Sequence, residues 1–85
     1  MEQFKYTIKD EFGIHARPAG QLVKKASDFT SSIVIHIGGK EAPANKLFAI
    51  MALCAKQGDE LIVTVEGEDE KTAAAALQEF LKSNL

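Results

Sequence analysis

The sequence predicts an α+β fold in which a mostly antiparallel sheet is covered on one side by helices. Three observations lead there. Some short runs alternate apolar and polar residues, as strands with one buried face do. Others repeat apolar residues at three-and-four spacing, as helices with one buried stripe do. The two kinds of run follow one another as strand, helix, strand, strand, helix, strand, helix. Elements with a single apolar face bury it by stacking in two layers. Residues 1–85 are expected to form one domain, since a chain of 85 residues has room for one core and shows no linker, repeat or low-complexity segment.

Phe4, Tyr6 and Ile8 alternate with Lys5 and Thr7 in the first strand, which Glu11-Phe12-Gly13 ends. From about residue 16 the period changes, and Ala19, Leu22, Val23, Ala26 and Phe29 mark the inner face of a first helix. Ile33, Ile35 and Ile37 then alternate with Val34 and His36. Gly38-Gly39 signals a tight hairpin that returns through Lys40 to Ala42 until Pro43 stops the ladder. The run "KLFAIMALCA" reads as a short second helix starting at Lys46, with Asn45 as its cap and Gly58 as its terminator. Its apolar residues occupy more than one face, so Leu47, Phe48 and Met51 are candidates either for core or for a docking surface. Leu61, Val63 and Val65 define the last strand. A final helix follows, with acidic residues at its start and a buried stripe of Ala73, Leu77, Phe80 and Leu81.

Composition narrows the class of function. At 46% hydrophobic and 26% charged the chain has the make-up of a folded globular domain, and a net charge of −2 provides no general attraction to nucleic acid or anionic lipid. A single cysteine, Cys54, rules out an internal disulfide, and its apolar surroundings suggest a small core residue. No run approaches a membrane span, and the first residues lack a basic region followed by an apolar stretch. A cytoplasmic protein without membrane insertion is expected. RNA-binding sheets of the common kind carry aromatic residues on their central strands, whereas "SIVIHI" and "LIVTVE" have no Phe, Tyr or Trp.

The chemistry concentrates in "GIHARPAG". If Gly13 turns the chain and His15 begins the first helix, Pro18 falls in the first turn, where a missing N–H costs little. The backbone amides of Ala16 and Arg17, at the positive end of the helix dipole, then form a small anion site beside the imidazole. That positive potential favours a neutral ring with a nitrogen free to attack phosphorus. The Arg17 guanidinium can reach the transferred group and stabilise charge on its oxygens. The stretch reads as a reversible phosphohistidine site, with the plain alternative of a surface histidine at a helix start still open. His36 lies in a strand with no companion ligands, so neither a metal site nor a cofactor is expected.

With these residues in view, the sequence resembles the HPr family, the histidine-containing phosphocarriers of the bacterial sugar phosphotransferase system. "GIHARPAG" matches the family's active-site motif, while "GGKEAPANKLFAIMAL" and "QGDELIVTVEGEDEKTAAAAL" resemble its later regions, all in register along the whole chain. The resemblance implies an open-faced β-sandwich with four antiparallel strands and three helices. It also implies that His15 takes a phosphoryl group from enzyme I on its δ1 nitrogen and passes it to IIA components of sugar permeases, with Arg17 orienting the phosphate. The chain would act within a relay of partner enzymes, as a monomer. Gly20, Lys24, Lys46, Leu47, Phe48 and Met51 lie where the family docks its partners, an apolar centre with a basic rim that suits acidic surfaces. Lys46 departs from a common pattern, since many members have a kinase-targeted serine there and a lysine offers no hydroxyl. Serine-based control is therefore expected to be absent. A regulatory paralogue, whose His15 phosphorylation signals to a target protein, remains the alternative.

Overall fold

The computed structural model describes residues 1–85 and contains the seven expected elements: β1 (Glu2–Thr7), α1 (Ala16–Ala26), β2 (Ser32–Ile37), β3 (Lys40–Pro43), α2 (Leu47–Ala52), β4 (Glu60–Glu66) and α3 (Glu70–Asn84). The four strands form one antiparallel sheet in the order β1-β4-β2-β3, so the first strand lies beside the last. Register follows the apolar alternation. Phe4 pairs with Val63 and Tyr6 with Leu61, while Ile35 stands opposite Val63 from the other side, which puts these side chains on one face. Ile33, Ile35, Leu61, Val63 and Val65 are buried there against Leu22, Ile50, Leu77 and Leu81 from the three helices. Each such side chain contributes on the order of 1.5 to 3 kcal/mol by leaving water. Where β2 turns into β3, Gly38 and Gly39 have φ of 48° and 88°, the pair of left-handed residues that a two-residue hairpin requires.

The three helices gain their positions in different ways. On α1, Pro18, Ala19, Leu22 and Ala26 are buried, one stripe that leaves Lys24 in solvent. On α3 the buried stripe is Ala73, Ala74, Leu77 and Leu81. Phe80, expected within that stripe, is only half-buried and packs against the edge of the core, while Ala74 is buried. The start of α3 is fixed from across the molecule. Asp69 makes no cap on its own helix; its carboxylate accepts the N–H groups of Thr30 (2.9 Å) and Ser31 (3.0 Å) and the Ser31 hydroxyl. Those hydrogen bonds, the Ser31 hydroxyl first, hold the Asp69 carboxyl below the usual range.

Helix α2 differs from expectation at both ends. It spans six residues, and its N-cap is Lys46, not Asn45. Asn45 lies one residue too early to reach the free amides, so the helix starts without a side-chain cap. At its other end the left-handed residue is Cys54, with φ of 53°, while Gly58 belongs to the turn before β4, where its N–H donates to the Ile8 carbonyl at 2.8 Å. Cys54 is exposed, contrary to the core assignment. The reversal of backbone hand after α2 takes its side chain outward and buries its neighbours Leu53 and Ala55 instead. No helix is long and apolar enough to cross a membrane.

Candidate functional site

The site is built on the loop between β1 and α1. Asp10 opens it with a tight turn, its side-chain Oδ1 accepting the Phe12 N–H at 2.8 Å and its carbonyl accepting the Gly13 N–H at 3.0 Å. Gly13 then passes directly over the segment after α2. Its φ is +65°, and a Cβ there would lie 2.2 Å from the Ala55 carbonyl oxygen. That carbonyl also accepts the Ile14 N–H at 3.1 Å, and Ile14 itself is buried. The glycine and the buried isoleucine thus pin the loop, and His15 emerges from a fixed base.

His15 is the N-cap of α1, with an extended backbone (φ −115°, ψ −179°). Its carbonyl accepts the first helical bond, from the Ala19 N–H at 3.0 Å, while its imidazole makes no capping bond. Ala16 and Arg17 occupy the first turn, where amides have no intrahelical acceptor, and Pro18 has no N–H to leave unsatisfied. Two amides are therefore presented at the positive end of an eleven-residue helix. The imidazole is half-buried in an open cleft of about 310 Å³, lined also by Asp10, Phe12, Arg17, Pro18, Gln21, Ser83 and Asn84.

Arg17 is exposed and free of ion pairs, so its guanidinium can swing toward an anion held by the ring and the amides. A cation and two N–H groups around one imidazole can stabilise a phosphoryl group as its charge shifts among the oxygens.

The expected partner-binding residues do not line this cleft; they lie on α1, on α2 and at the N-cap of α2, at different depths. Gly20 is partly open, with nothing near the position of a Cβ, and Lys24 extends into solvent one turn later on α1. On α2, Leu47 is half-buried against the core, whereas Phe48 is 84% exposed and Met51 37%. The choice between core and surface is thus resolved residue by residue. Lys46 is exposed at the N-cap. His36 sits on the uncovered face of the sheet, its Nε2 3.2 Å from the Thr64 hydroxyl and its Nδ1 3.4 Å from the Glu41 carboxylate. It takes no part in the cleft. Sequence reasoning overlooked Phe12, 72% exposed, whose ring stands edge-on to that of His15 at a centroid distance of 5.9 Å. The available signal was an aromatic residue outside the strand alternation, in the turn just before the motif.

The chain is similar to known proteins in sequence and in fold. The family model for the PTS HPr component phosphorylation site matches residues 2–83. Phosphocarrier protein HPr of Lysinibacillus sphaericus is 43% identical over 81 residues, covering 95% of this chain and 92% of the relative. Among solved structures, a histidine-containing phosphocarrier protein of a mycoplasma superposes with a TM-score of 0.94 at 33% identity, covering 96% of this chain and 93% of the other. The catabolite-repression protein Crh of Bacillus subtilis, a swapped dimer, superposes with a TM-score of 0.78 at 30% identity, covering 100% and 98%.

Proposed function

The chain belongs to the HPr family and is a phosphocarrier of the phosphotransferase system, and from that premise we propose that His15 carries the phosphoryl group and Arg17 steadies it. The observation behind this reading is the placement of the His15 imidazole at the N-cap of α1, beside the first-turn amides and in one cleft with Arg17. In the transfer, the unprotonated Nδ1 forms a bond to phosphorus while the bond from phosphorus to the donor atom breaks and leaves its electron pair on the donor. The ring proton stays on Nε2. The Ala16 and Arg17 amides and the Arg17 guanidinium take up charge on the phosphoryl oxygens. Discharge to an acceptor runs the same steps in reverse.

Enzyme I is the donor and IIA components of sugar permeases are the acceptors in this proposal. The exposed Phe48 and Met51, with Lys24 and Lys46 nearby in the sequence of the two helices, support docking to acidic partners. We further take the chain to act in the cytoplasm as a single-domain monomer, unlike the swapped Crh dimer, and to lack serine control because Lys46 has no hydroxyl. The test is incubation with phosphoenolpyruvate and enzyme I. Wild type should gain one acid-labile phosphate that His15→Ala abolishes, and Arg17→Ala should accept it roughly 100-fold more slowly with an unchanged circular dichroism spectrum. Incorporation into His15→Ala would overturn the assignment.

A further inference from the structure

We propose that Phe12 is a positioning residue for phosphoryl transfer, holding the His15 ring at the angle from which it attacks; this rests on the reading of His15 as the phosphoryl carrier.

The histidine whose ring nitrogens are engaged by the chain is His36, through Thr64 and Glu41. His15 has no such tether and makes no side-chain cap. What stands against it is the Phe12 phenyl ring, at 5.9 Å between centroids and 79° between planes, the T-shaped arrangement that aromatic pairs prefer. The phenyl ring is itself well placed to set an orientation. Its backbone N–H is held by the Asp10 carboxylate at 2.8 Å, and the next residue, Gly13, is locked over Ala55. A ring that is 72% exposed contributes little to the core, so its burial does not explain its presence. An imidazole held by an aromatic contact keeps both nitrogens free, one for phosphorus and one for its proton. A hydrogen bond to a ring nitrogen would orient it equally well but would occupy an atom the reaction uses. The charged groups on the same cleft are Asp10 and Arg17. Asp10 directs its Oδ1 to the Phe12 amide, leaving the phenyl ring as the contact that fixes the imidazole.

The experiment compares Phe12→Ala, Phe12→Leu and Phe12→Tyr with wild type, each checked for an unchanged fold by circular dichroism. Proton NMR of the unphosphorylated proteins reads the ring-current displacement of the His15 carbon-bound protons. It should persist in Phe12→Tyr and be lost in both other variants. In phosphorylation by enzyme I and phosphoenolpyruvate, kcat should fall about 2- to 10-fold for Phe12→Ala and Phe12→Leu, with KM for enzyme I nearly constant, and Phe12→Tyr should restore it. Rescue by leucine would mean that the side chain is only an apolar docking contact and would overturn the proposal, as would a wild-type rate for Phe12→Ala. If wild type gains no phosphate on His15, it is the carrier reading that fails. The NMR comparison then still decides whether Phe12 orients the ring.

Discussion

At the starts of α1 and α2 the backbone does the same thing: His15 and Lys46 each take an extended conformation, and neither side chain bonds to the amides beyond it. The surroundings differ. The α1 start is eleven residues of helix deep, braced from below by Gly13 and Ile14 on Ala55, and bordered by Phe12, Arg17 and Asn84. The α2 start has six residues of helix, an exposed lysine, and Phe48 in solvent. A free helix start is therefore a common accident of folding. At α1 a braced loop adds an imidazole and a cation in the same cleft, whereas α2 adds only an exposed lysine and phenylalanine.

The strongest way to break this contrast is to move the histidine. Combining His15→Ala with Lys46→His supplies an imidazole at the second start, and the double variant should incorporate no acid-labile phosphate, measured against wild type in the enzyme I reaction. Phosphate at position 46 would show that an uncapped helix start and an imidazole suffice. Next in size is the brace. Gly13→Ala forces a Cβ against the Ala55 carbonyl at a positive φ, and should destabilise the fold by about 2 to 4 kcal/mol. In a domain of this size that lowers the melting temperature by roughly 10 °C or more, which calorimetry reads directly. The smallest effect belongs to α2. Lys46→Ser supplies the missing cap and removes a cation from the positive end of the helix, for a gain of about 1 kcal/mol in urea unfolding. No gain would mean that the lysine already satisfies the α2 start in some other way.

The same contrast explains what could be read without coordinates. β2 and β4 were legible because Ile33, Ile35, Leu61, Val63 and Val65 alternate on a sheet with one buried face, β1 from the alternation of Phe4 and Tyr6, β3 from the Gly38-Gly39 turn, and α1 because its apolar stripe keeps a helical period. The His15 and Arg17 placement was legible because Gly13 and Pro18 each have one conformational role that fits around them. What escaped depends on contacts between distant segments. The exposure of Cys54 follows from a left-handed residue that is not a glycine, for which the sequence carries no mark. Lys46 displaced Asn45 as the cap because the Lys46 N–H bonds back to the Pro43 carbonyl at 3.2 Å, extending the turn by one residue. The Asp69 clasp on Thr30 and Ser31 joins residues nearly forty positions apart. Phe12 looked like loop punctuation until its ring was seen against an imidazole three residues on.

Because β1 pairs with β4, Glu2 finds its neighbour Val65 about sixty residues later in the chain. On a ribosome the first strand must wait, unpaired, until nearly the whole polypeptide has been made, and the loop that follows it waits as well. The sheet that anchors this loop is thus completed late in synthesis, after all but the final helix has been made.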